Sequence, residues 1–141
     1  MSEFSTPLSR TLGLRYPIVA APMFIISNKE MIVACAEAGI LGSMPSLNAR
    51  TLEGFRADLE WIRQKTDKPF GINLTIGLTD PERLAGDVAL CEEFEVPVWL
   101  TSYGNPTELV QRARAKKCHV FHDVTNLKHA QKAASAGVDG I

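Results

Sequence analysis

Short apolar runs rich in β-forming residues recur down this chain at 17–22 (PIVAAP), 40–44 (ILGSM), 70–75 (FGINLT), 96–102 (VPVWLTS), 118–124 (CHVFHDV) and 138–141 (VDGI). Segments of helical length and polarity separate them. From about Thr51, Leu52, Phe55, Leu59 and Ile62 fall on one helical face while Arg56, Asp58, Glu60 and Arg63 fall elsewhere. Strands that alternate with helices pair in parallel, because each crossover helix returns the chain to the same end of the sheet. The expected fold class is therefore α/β.

Punctuation supports that alternation. Ser27 and Glu30 in SNKE have the spacing of a capping box. In DPE (80–82) and NPTE (105–108), Asp80 and Asn105 are expected at the N-cap with Pro81 and Pro106 at the first helical position. Gly39 and Gly137 follow alanine-rich helix ends, where a left-handed C-cap favours glycine.

Composition excludes several partners. The 141 residues are 45% hydrophobic and 22% charged with a formal net charge of −1, which suits a globular domain with a real core and argues against nucleic acid. The only basic cluster, RARAKK at Arg112–Lys117, sits where a helix C-terminus favours cations. Cys35, Cys91 and Cys118 are odd in number and in apolar settings, as buried thiols of a reducing compartment would be. The longest apolar run, 17–26, is far short of the ~20 residues of a spanning helix, so no membrane partner is expected and the localisation is read as cytoplasmic.

Two architectures use parallel alternation, an open doubly wound sheet and a closed (β/α)₈ barrel. Neither G-x-G-x-x-G nor G-x-x-x-x-G-K-[ST] occurs, which weakens the first. A barrel places functional groups at strand C-terminal ends, and polar or unusual residues recur there: Pro22 and Met23, Asn73 and Thr75, Thr101 and Ser102, His122 and Asp123. Each alone also suits a turn or a cap.

The stretches LGLRYPIVAAPM, NKEMIVACAEAGILGSM, KPFGINLT, TSYGNP and VFHDVTNLKHAQKAASAGVDGI, in this order, resemble the nitronate monooxygenase (2-nitropropane dioxygenase) family. The resemblance runs from about Leu12 to Ile141. It implies an FMN-dependent (β/α)₈ TIM barrel that oxidises alkyl nitronates with dioxygen, and it makes residues 1–141 the N-terminal part of one FMN-binding domain. Alternatives are an FMN-dependent enoyl-carrier-protein reductase-like enzyme using NAD(P)H, or a non-catalytic half-barrel that oligomerises.

The residues are compatible with a flavin site. Ala20 and Ala21 leave the first strand's end bare enough for a flat ring to approach, Pro22 turns the chain, and Met23 offers a polarizable side chain. Some relatives have glycines at the two alanines. Asn73 stands in an otherwise apolar strand and carries donors and an acceptor suited to the flavin, and the family's matching Asn contacts FMN; satisfaction by a neighbouring strand end is the structural alternative. His119 and His122 stand three apart on one strand and so point to opposite faces, where the two imidazoles cannot converge on one metal ion; none is expected. His122 is expected toward the cofactor and His119 toward the helices. Where some relatives have a lysine touching FMN this chain has Asp123, which is read as orienting Thr125 or a helix N-terminus. Ile18, Ala20 and Ile72 are expected on the barrel's interior face.

A complete barrel of this kind typically needs about 250 residues. About five β–α units and the start of a sixth strand are present. The phosphate grip after strands 7 and 8, and the family's catalytic histidine just past the sixth strand, are expected beyond Ile141, so no catalytic residue is assigned within the chain. Open sheet edges make self-association a possible partner interaction.

Overall fold

Gly39 (φ 82°) and Gly137 (φ 84°) both adopt the left-handed conformation, each ending a helix just before a strand or bridge begins. That arrangement repeats through a computed structural model of the chain, which describes residues 4–141. After helix α1 (Pro7–Leu12) come β1 (Val19–Ala20), α2 (Lys29–Ala38), β2 (Leu41–Pro45), a 3₁₀ turn (Ser46–Asn48), α3 (Leu52–Lys65), β3 (Phe70–Thr75), α4 (Pro81–Glu93), β4 (Val98–Ser102), α5 (Thr107–Ala115), β5 (His119–His122) and α6 (Leu127–Ala136). The strands form one sheet in the order β1-β2-β3-β4-β5. The pairs β1–β2 and β4–β5 are parallel, and Gly140 adds a parallel bridge beside Phe121 where the sixth strand was expected. The chain is the α/β alternation that the sequence predicts.

The polypeptide divides into two compact units, one up to Gly71 and one from Ile72 to Ile141. In the first, α2 lies so close on β2 that a Cβ on Gly42 would stand 2.8 Å from the Cys35 Cβ and 2.9 Å from the Ile32 Cα. Phe55, Leu59 and Ile62 of α3 are fully buried, as their spacing predicts, and Leu52 at the helix start is partly exposed. The second unit buries Trp99 completely, along with Val88, Cys91, Val98 and Ala113, and the indole N–H donates to the Val96 carbonyl. All three cysteines are buried free thiols. No described helix is long and apolar enough to cross a membrane.

Most boundaries follow the capping chemistry. Asp80 caps α4 by accepting from the N–H groups of Glu82 and Arg83, with Pro81 at the first helical position. Two starts shift by one residue. Asn28, not Ser27, caps α2, and α5 begins at Thr107, whose N–H and hydroxyl both donate to Asn105 Oδ1. Ser27 is unavailable as a cap because its hydroxyl accepts from the Met23 N–H. Helix α1 was not anticipated, although Thr6 and Ser9 form a reciprocal capping box ahead of it.

Candidate functional site

Alternation along a strand decides which side chains can meet. In β1–β2 the partners are Val19 with Leu41 and Ala20 with Gly42. The Cβ position of Gly42 is filled by α2, so Ala20 shares the face turned to that helix rather than the interior face expected of it. Beyond β1 the chain enters a tight loop. Met23 donates its N–H to Ser27 Oγ (2.9 Å) and accepts the Ser27 N–H at its carbonyl (2.9 Å), while Ala21 and Met23 are exposed and Pro22 is half-buried. The candidate flavin-contacting stretch Ala21–Met23 is therefore an ordered, accessible strand end.

In the second unit, Asn73 lies buried near the end of β3. Its Nδ2 donates to the Leu100 carbonyl (2.8 Å) and to Ser102 Oγ (3.2 Å), and its Oδ1 accepts from Thr75 Oγ1 (3.2 Å). Both amide hydrogens are thus used to stitch β3 to β4. One lone pair on Oδ1 and the Ser102 hydroxyl hydrogen remain for a ligand. Ile72 lies on the face opposite Asn73 and is fully buried, so the two cannot both look into a barrel interior.

Ser102 and Thr101 are consecutive on β4 and point to opposite faces. Thr101 is the register partner of His122, and its Oγ1 lies 2.8 Å from His122 Nδ1. His122 therefore sits on the face away from Asn73. It opens instead onto a concavity of about 1530 Å³ between α5 and α6, whose walls include Gln111, Arg114, Lys128 and Lys132. Burial lowers its pKa below the ordinary 6.5, opposed by the Asp123 carboxylate and a hydrogen bond with the Gly104 backbone. His119 is on the other face, half-exposed, with Nδ1 3.8 Å from an Asp139 carboxylate oxygen. His122 lies toward α5 and α6 and His119 on the other side of β5, the opposite of the expected orientations.

Asp123 is exposed and does not cap α6. Asn126 does, accepting from the His129 N–H, and Thr125 instead lies against His129 Nδ1. Asn48 had not been singled out from the sequence, yet its amide is the hub of the loop after β1: Oδ1 accepts from the Ile25 N–H (2.9 Å) and Nδ2 donates to the carbonyls of Ser27 (2.7 Å) and Met23 (3.4 Å). An Asn as the third residue after a strand was its only signal.

A family model for nitronate monooxygenase matches residues 5–141. The chain belongs to that family. It is 31% identical over 137 residues to the (3aS,4S,5R,7aS)-5-hydroxy-7a-methyl-1-oxo-octahydro-1H-indene-4-carboxyl-CoA dehydrogenase of Mycobacterium tuberculosis, covering 96% of this chain and 37% of that protein. With a nitronate monooxygenase of Pseudomonas aeruginosa it shares 38% identity over 78 residues, covering 53% of this chain and 22% of that protein. The structure superposes on FabK from Thermotoga maritima with a TM-score of 0.86 and 31% identity, over 96% of this chain and 42% of that one. The fold of this nitronate monooxygenase family chain is thus five β–α units of the TIM-barrel type, and it spans less than half the length of the relatives it matches.

Proposed function

We propose that the protein bearing this chain is a flavin-dependent oxidoreductase that oxidises alkyl nitronates with dioxygen to a carbonyl compound and nitrite. The observation that carries this reading, beside family membership, is the pair of buried polar residues Asn73 and Ser102, with half-buried Thr75 beside them, at the C-terminal ends of two neighbouring strands, where barrel enzymes hold their ligands. Its chemistry fits FMN: an amide oxygen with a free lone pair and a hydroxyl with an unspent hydrogen complement the alternating donors and acceptors of the flavin's pyrimidine edge. Bound FMN would supply the electron acceptor linking nitronate to dioxygen; the protein's part is to hold that ring, orient the anionic substrate and exclude water. His122, on the opposite face, is not among the groups proposed to touch it.

The test is the purified full-length protein in air. Stoichiometric flavin absorbance together with nitrite release from an alkyl nitronate, without nicotinamide, supports the proposal. A colourless protein that releases no nitrite when FMN is added rejects it. A second reading, an oxidoreductase acting on an acyl thioester, is favoured by the 31% identity to the carboxyl-CoA dehydrogenase. Nicotinamide turnover dependent on such a thioester, with no nitrite release, would select it.

A further inference from the structure

The loop leaving β1 presents four consecutive apolar side chains to solvent: Met23, Phe24, Ile25 and Ile26 are 37%, 63%, 81% and 67% exposed. Exposed hydrophobic residues scattered singly need no explanation, but four in a row on a short loop do. The loop is also held in an unfavourable shape. Ile25 has φ 70°, a region that a β-branched residue enters only under constraint. The constraint is Asn48, whose side chain accepts the Ile25 N–H and grips the carbonyls on either side, at Met23 and Ser27. Buried Ser27 closes the loop from within by accepting the Met23 N–H. Backbone strain of this kind persists where the surroundings over-determine it, and it gathers at ligand-binding segments.

We propose that this locked loop is the wall that contacts the hydrocarbon part of the substrate and sets a preference for longer alkyl groups. Phe24 and Ile25, together with Met44 and Leu47, form the apolar part of the lining of a concavity of about 430 Å³ in the first unit, polar and charged residues including Arg50 and Asp58 making up the rest, and that apolar part gives an alkyl chain a surface to lie against. The loop follows the C-terminal end of the first strand, the end at which barrel enzymes bind substrate. A flexible apolar loop would collapse onto the protein and hide these side chains. Asn48 prevents that, so it is a positioning residue for Phe24 and Ile25.

This inference rests on the proposed oxidation of alkyl nitronates, and its test separates the two. Straight-chain alkanoates share the planar two-oxygen anionic head of a nitronate and cannot be oxidised in its place. Their binding to the full-length protein, measured by titration calorimetry from two to eight carbons, is expected to tighten by up to about fourfold per methylene. Nitronate kcat/KM is expected to rise in parallel through KM. Phe24→Ala and Asn48→Ala should flatten both series, with the two-carbon members unchanged in Phe24→Ala, and exposed Phe24 can be removed without loss of the fold. A wild-type series with no dependence on length, or a slope that survives both substitutions, overturns the inference. Length-dependent binding that both variants flatten, without oxidation of any nitronate, upholds the loop's role and rejects the proposed reaction.

Discussion

Asn73 and His122 point to opposite faces of the strands that carry them, because Asn73 bonds to Ser102 on one side of β4 while His122 bonds to Thr101 on the other. One cofactor on one face therefore meets only the first of them. Asn73 has two duties that substitution separates. Asn73→Leu removes the donors to Leu100 and Ser102 and should lower stability by about 1–3 kcal/mol, read as a fall in the urea midpoint. Ser102→Ala leaves the Asn73–Leu100 bond intact and should change stability by about 1 kcal/mol or less, yet weaken FMN binding by about tenfold. Equal flavin affinity in wild type and Ser102→Ala would remove Ser102 from the site.

Burial of His122 makes stability depend on pH in a stated direction. Its pKa in the folded protein lies below the ordinary 6.5, so the unfolded chain takes up the proton first. The associated stability is complete above about pH 6.5 and is lost as pH falls below it, each unit of pKa difference being worth about 1.4 kcal/mol. His122→Gln keeps a polar partner for Thr101 and should flatten the stability profile below pH 6.5. Parallel profiles for the two proteins would show that another group carries the dependence.

Element order was legible in the sequence, and strand phase was not. Glycine after alanine-rich stretches, Asp80 before Pro81, and the Phe55–Leu59–Ile62 spacing each act through local chemistry, and each appears where expected. Ala20, Ile72 and His122 were assigned to the wrong faces. Five of the six residues of β3 are buried, so around Ile72 the pattern lacks the alternation from which a face is read, and β1 is only two residues long. The partners of Asn73 are likewise tertiary, lying 27 and 29 residues away. Ser27 misled for a related reason: its hydroxyl serves the loop before α2 and leaves the cap to Asn28.

Arg112 and Glu92 tie α5 to α4 through a two-pronged pair, Nε to Oε1 and Nη2 to Oε2, both 2.8 Å. The hydrogen bonds from Arg112 hold the Glu92 carboxyl below its ordinary 4.5. A depressed carboxylate pKa stabilises the fold above the unfolded value and loses that contribution as pH falls through the folded one. Arg112→Ala should therefore cost about 0.5–1 kcal/mol at neutral pH, and the gap to wild type should narrow below pH 4.5. Arg112→Lys should recover only part of it, because an ammonium does not reproduce the fork. A gap that stays constant from pH 7 to pH 3 would assign the loss to packing of the arginine stem.

Gly42 offers the sharpest packing test, since it lets the α2 backbone rest directly on β2. A Cβ there would stand 2.9 Å from the Ile32 Cα and 3.0 Å from the Ile32 carbonyl oxygen, main-chain atoms that no rotamer change can move. The backbone of Gly42 is not in the left-handed region, so the cost of an added methyl is steric rather than conformational. Gly42→Ala should destabilise by about 1–3 kcal/mol through displacement of α2, visible as a lowered thermal midpoint with the far-ultraviolet spectrum retained. The displacement would reach further than the mutation, because Ala20 is the register partner of Gly42 and leads into Ala21–Met23. Flavin affinity should therefore fall along with stability. An unchanged thermal midpoint would mean that α2 slides outward by several tenths of an ångström without loss, and that the close approach is incidental to the strand end it supports.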